Sequence, residues 1–158
     1  MTQNSVTPNS ATPNREVLDM LVEITRYGAR FYDQSAERVQ ERGLKSLFLR
    51  LALAKHALVR NFTGADDARK APLAAAGSLL GEYQRQYAEL RTRIGSGGNY
   101  IGGLAHLEQQ LLKAIDRQVF EPGTPLGIRT AAALCLPPLQ GCVDELNERK
   151  EGAQRLVA

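Results

Sequence analysis

The spacing of the apolar residues leaves this chain little choice but helix. Val17, Leu21, Ile24, Gly28, Phe31 and Ser35 recur at steps of four and three, which puts them on one stripe of an α-helix. That predicts a helix over 15–41. Leu44, Leu47, Leu51, Ala54 and Leu58 predict a second over 44–62. A third starts near Pro72, a residue suited to the first helical position, and carries Leu73, Ala76, Leu80, Tyr83, Tyr87, Leu90 and Ile94. Leu104, Leu107, Leu111, Ala114 and Gln118 mark a fourth over 103–120. Ile128, Ala132, Cys135, Leu139, Cys142 and Leu146 mark a fifth over 126–151. No segment alternates with period two as a half-buried strand would. The fold class expected is all-α.

The punctuation sets the connections. Gly43 is expected to end the first helix as its C′ residue, and so short a link makes the first two helices antiparallel neighbours. Thr63-Gly-Ala-Asp-Asp67, Gly95-Ser-Gly-Gly-Asn99 and Glu121-Pro-Gly-Thr-Pro125 read as breaks. Pro137-Pro138 falls inside the fifth helix. Each proline removes a backbone donor and clashes with the preceding turn, at about 3 kcal/mol or more, so a kink or split is expected there. Residues 1–14, rich in Thr, Asn, Ser and Pro, read as a disordered tail, 15–152 as one domain and 153–158 as a flexible end.

Composition narrows the partners. The 20 basic and 17 acidic residues are mixed along the chain, with no basic run and no basic stripe interleaved with aromatics. Nucleic acid is therefore not expected as a partner. No apolar run is seen to approach the roughly 20 residues that cross a bilayer, and no charged-then-apolar leader opens the chain. A cytoplasmic protein without membrane contact is the expectation. Cys135 and Cys142 share a helix face about 10 Å apart, too far for a disulfide, and read as two buried thiols.

Four stretches carry a resemblance: "LVEITRYGARFYDQSAERV", "GLKSLFLRLA", "GSLLGEYQRQYAELRTRI" and "LEQQLLKAIDRQV". Together they resemble a bacterial ferritin-like family of unassigned function, over 15–151. The resemblance implies a ferritin-like four-helix bundle with an additional crossover helix, here with a Pro-kinked last helix. In metal-binding ferritin-like proteins, two helices each supply a carboxylate and two others each a Glu-x-x-His pair. This chain has Arg30, Ala54, Ala57, Gln140 and Val143 at the matching turns, and no Glu-x-x-His anywhere. Glu108 is the one retained candidate ligand. No cofactor is expected, with iron or manganese at Glu108 as the alternative.

His56 lies about 200° around its helix from Ala54, which turns it outward. "KHALVRNF" resembles the His-x-Leu-Lys-Gly pattern of histidine phosphotransfer domains at His56 and Leu58, and departs from it at Val59 and Arg60. His106 is likewise off the inward stripe. The glycines of "IGSGGNYIGG" lack the Gly-Lys-Ser/Thr of a phosphate loop and read as a connection. Tyr83 and Tyr87, one helical turn apart, read either as core packing or as part of an interaction surface. Pro137 and Pro138 are expected to shape such a surface. The expectation is a non-catalytic helical bundle acting through a protein partner or through a second copy of itself, as a homodimer. The alternatives are a metal-dependent oxidase or ferroxidase at Glu108 and phosphoryl relay at His56.

Overall fold

The structure is a computed structural model that describes residues 6–65, 77–96 and 99–157. It is all-α, with five helices: α1 (Val6–Ser35), α2 (Arg42–Ala65), α3 (Gly77–Arg93), α4 (Ile101–Val119) and α5 (Leu126–Val157). The start of the third helix at Pro72, with Leu73 and Ala76, lies outside the described residues. Residues 6–14, read as tail, are helical backbone continuous with α1, and α5 runs on past Glu151 into the expected flexible end.

The first helix stops with its stripe, short of the expected bound at residue 41. It ends at Ser35, and Gly43 does not close it; Gly43 lies in the first turn of α2, without the positive φ of a C′ glycine. The residue that organises this junction is Glu41. Its Oε2 accepts the Leu44 N–H at 2.8 Å, which satisfies a donor that the new helix leaves free, and takes Arg149 Nη1 at 2.9 Å. A Cβ at position 43 would lie 2.7 Å from Arg149 Nη2, which the arginine tip would have to yield. At the other turns glycine does what the sequence suggests. Gly95 and Gly123 adopt positive φ, and Thr124 N–H closes a turn onto Glu121 C=O with Pro122 and Gly123 between them.

Packing follows the stripes. α1 packs on α2, α2 on α5, α5 on α4 and α4 on α1, a closed cycle, while α3 lies against α1 and α4. Successive helices around the cycle run antiparallel, while α3 runs parallel to α1, with Tyr87 at Tyr27 and Arg91 at Phe31. Along α2 and α5, Glu41 meets Arg149, Arg50 meets Glu145 and Ala57 meets Cys135. The core contains Leu21, Ile24, Phe31, Leu47, Leu51, Leu58, Leu107, Leu111, Leu139 and Leu146. Cys135 and Cys142 are buried free thiols. Ala54 is only half-buried; the inward place is taken by its neighbour Lys55.

The two prolines do not split α5, which is continuous from Leu126 to Val157. The carbonyls deprived of their donors belong to Ala133 and Leu134, four residues back, and both residues are exposed. Water can therefore take over the lost bonds, a compensation unavailable in a core. The expectation about apolar runs is also corrected: Leu126–Gly152 is by length and composition apolar enough to cross a membrane. In this fold its stripe of Ile128, Ala132, Cys135, Leu139, Cys142 and Leu146 is packed inside.

Two exposed ion pairs fasten α2 to α5, and both depend on carboxylate charge. Hydrogen bonding from the Leu44 amide and Arg149 lowers the Glu41 pKa; Arg50 lowers that of Glu145. A lowered folded pKa gives stability that is present above the unfolded value and lost as pH falls. The chain should therefore lose stability as pH drops below 4.5. A Glu41→Gln/Glu145→Gln variant should be less stable near neutrality and show a shallower acid slope. Urea midpoints across this range check it; an unchanged slope would remove the two carboxylates from the account.

Candidate functional site

The most unusual feature of the core is a charged pair in its middle. Lys55 of α2 and Glu108 of α4 are both buried, at 0% and 1% exposure, and Lys55 Nζ lies 2.6 Å from Glu108 Oε1. Burying either charge alone would be prohibitive, so each requires the other. α2 and α4 are diagonal members of the packing cycle and do not touch through their backbones. The long lysine side chain and the glutamate meet across the space between them.

The second carboxylate oxygen is also fully used. Tyr32 Oη of α1 donates to Glu108 Oε2 at 2.7 Å, and Tyr87 Oη of α3 donates to the same atom at 2.6 Å. Hydrogen bonds to a charged acceptor contribute about 1.5–3 kcal/mol each. One carboxylate thus joins side chains from four helices. The ammonium approaches Oε1 too obliquely for a directed hydrogen bond, and Nζ has no other acceptor among the described residues. It also sits 5.9 Å from the centre of the Tyr32 ring, within cation–π range.

Local sequence explains the geometry. Tyr87 reaches the centre by passing over Gly28 of α1; a Cβ there would lie 2.6 Å from Tyr87 Oη and 3.3 Å from Lys55 Cδ. Only glycine leaves room. Around the polar group stand Phe31, Tyr32, Phe48, Tyr27 and Tyr87, ring against ring at 4.8–6.4 Å. Burial, and then the negative charge of Glu108, push the Tyr32 and Tyr87 hydroxyls well above their usual pKa, so both remain donors. Burial likewise raises the Cys142 thiol, against the opposing pull of Arg50 and Lys55.

The donor set does not suit a two-metal centre. Its one carboxylate is already neutralised by an ammonium, and no group of three or more His, Cys, Asp and Glu converges among the described residues. Two grooves lie on either side of α5, and neither is lined by Lys55, Glu108, Tyr32 or Tyr87. One, of about 550 Å³, lies between α4 and α5 and includes Pro137; the other, of about 470 Å³, lies between α2 and α5 and includes Pro138.

The residues singled out in the sequence fall as follows. Glu108 points inward, but onto Lys55. Arg30 and His106 are exposed, Ala54, Ala57 and Gln140 half-buried, and Val143 buried. Tyr83 and Tyr87 are buried, which corrects their reading as a surface; they are core residues, Tyr87 because its hydroxyl has a buried acceptor. Pro137 and Pro138 are exposed. His56 is half-exposed, with Nε2 2.8 Å from Asp33 Oδ2. That carboxylate presents like charge to an incoming phosphoryl group. Lys55 and Tyr32 were not anticipated. The available signal was that Lys55 also falls in phase with Leu51 and Leu58, facing a glutamate in phase with Leu104 and Leu111. Comparison with family models, with curated proteins and with solved structures finds no match for the chain.

Two outcomes follow from the cluster. Gly→Ala in a helix usually gains about 0.5–1 kcal/mol. Gly28→Ala should instead lose about 2 kcal/mol or more, because it displaces the Tyr87 hydroxyl. Adding Tyr87→Phe should recover part of that loss in urea denaturation, whereas an additive result would show that the glycine serves another contact. The raised tyrosine pKa values mean that the unfolded chain releases protons before the native one as pH rises. Stability should therefore fall above pH 10.0, with Tyr32 and Tyr87 ionising only as the fold opens. Tyrosinate absorbance followed alongside circular dichroism checks this; full ionisation of all five tyrosines in a folded chain would contradict it.

Proposed function

We propose that this chain is a non-catalytic, ferritin-like helical bundle that acts through its surface, on a protein partner or on a second copy of itself. The packing cycle of α1, α2, α5 and α4, with α3 outside against α1 and α4, supports the reading of a four-helix bundle with a crossover helix. The observation that carries the functional part is the Lys55–Glu108 pair. Glu108 is the one candidate ligand the sequence retains from a metal-binding relative, and a lysine already balances its charge. A metal ion there would have to displace a buried ammonium and two phenolic donors. The cluster instead works as an internal fastening, which leaves the outer faces of the helices to interact. Nucleic acid, a membrane surface and a cofactor are not part of the proposal.

Metal content tests it. The full chain, produced with iron and manganese in excess and passed through gel filtration, should carry well under one metal ion per chain. One or two ions per chain that disappear in Glu108→Gln would overturn the reading in favour of a metal-dependent oxidase.

A further inference from the structure

The two prolines of α5 bear on the surface as well as on the helix. In an α-helix each carbonyl accepts the N–H of the residue four positions on. Pro137 has no N–H, so the Ala133 carbonyl is left without its helical donor. That carbonyl lies between Ala133 and the following turn, where Leu136 and Pro137 stand. All three residues line the groove of about 550 Å³ between α4 and α5. Gln140, on the next turn of the same wall, donates its amide to Asp144 at 2.8 Å and not into the groove. The second proline is placed differently. The carbonyl that Pro138 deprives of a donor belongs to Leu134, which lines neither groove beside α5.

The rest of the groove is apolar. Buried Leu112 and Val119 of α4 and Ala132 of α5 form its floor, and Phe120, 71% exposed, stands at the end beside the α4–α5 turn. Lys113, Asp116 and Arg129 are exposed at the edge and carry charges of both signs, so the rim does not select by net charge. The volume falls within the roughly 300–1,000 Å³ range of small-molecule sites. Open to solvent, the Ala133 carbonyl can be satisfied by water. A molecule lying in the groove displaces that water, and it must replace the bond or leave an acceptor buried and unsatisfied. The groove therefore discriminates by hydrogen bonding. An apolar body that carries a donor is accepted, and the same body without one is penalised.

We infer that the α4–α5 groove binds a small, uncharged, largely apolar molecule that donates one hydroxyl or N–H hydrogen bond to the Ala133 carbonyl. The inference goes beyond the reading of the chain as acting on a protein partner and does not require one.

Fluorescence titration of the full chain with β-naphthol and with its methyl ether tests it. The two probes share one apolar ring system, and only the naphthol carries a donor. β-Naphthol should bind saturably, and the ether should bind about tenfold more weakly or worse. Pro137→Ala returns an N–H to the Ala133 carbonyl; it should keep the fold and bring the two affinities within about twofold of each other. Pro138→Ala, which acts on Leu134, should leave the gap between the probes as it is. Ala133→Trp fills the groove from an exposed position and should abolish binding of both probes without changing the melting temperature. No saturable binding of β-naphthol, or binding that survives Ala133→Trp, would overturn the site. Equal affinities in the wild type, or a gap that persists in Pro137→Ala, would overturn the carbonyl as the group that selects the ligand.

Discussion

Everything in the centre of this protein depends on how Glu108 is satisfied. A carboxylate moved from water into a core loses several kcal/mol of solvation even after the surroundings relax. Here one oxygen holds the Lys55 ammonium and the other holds two phenols. The three partners come from α2, α1 and α3, and the carboxylate from α4. Apolar stripes alone can slide past one another by a helical turn with little penalty. This cluster cannot, since a shift of any one helix would strand a buried charge or hydroxyl. The diagonal pair α2 and α4 is fixed in register by a contact that their backbones do not make.

The same arrangement decides what the core can do. A polar cluster inside a helical core is where chemistry would be sought, and in this one the Lys55 ammonium is paired in charge but lacks a directed hydrogen bond. Its charges cancel, its hydroxyls are engaged, and the grooves beside α5 do not reach it. Gly28 shows how closely the parts fit, since a single methyl group would push Tyr87 off the carboxylate. α5 has an inside and an outside of different character. Its prolines face solvent, its inner stripe is core, and its outer strip grades from apolar to acidic.

Much of the fold was legible because helical packing is a local code. The stripes on α4 and α5 point inward much as their spacing suggests, and Gly95 and Gly123 mark turns through their φ angles. Several departures from expectation have one physical cause, a partner remote in sequence. Gly43 reads as a helix end, but it lies in the first turn of α2 beside the Arg149 guanidinium. The prolines read as a break, but the carbonyls they deprive of donors belong to exposed residues and α5 stays continuous. Lysine is rarely buried unless paired, and the pair of Lys55 is on α4, out of reach of any local reading. Tyr87 showed its inward phase in the sequence but not the acceptor that fixes its hydroxyl. Glu108 stands out in the sequence as a ligand only through the resemblance to a metal-binding pattern; the cation it meets is a side chain of the protein itself.

The most direct test of this account is a double-mutant cycle on Lys55 and Glu108. Lys55→Met leaves an unbalanced carboxylate, and Glu108→Gln leaves an unbalanced ammonium, so each alone should cost about 3–5 kcal/mol. The double variant keeps an amide oxygen for the two tyrosines and removes both charges. It should be more stable than the sum of the single losses predicts, with a coupling energy of about 2 kcal/mol or more in urea unfolding. Losses that simply add, to within about 0.5 kcal/mol, would contradict the claim that this pair completes the core.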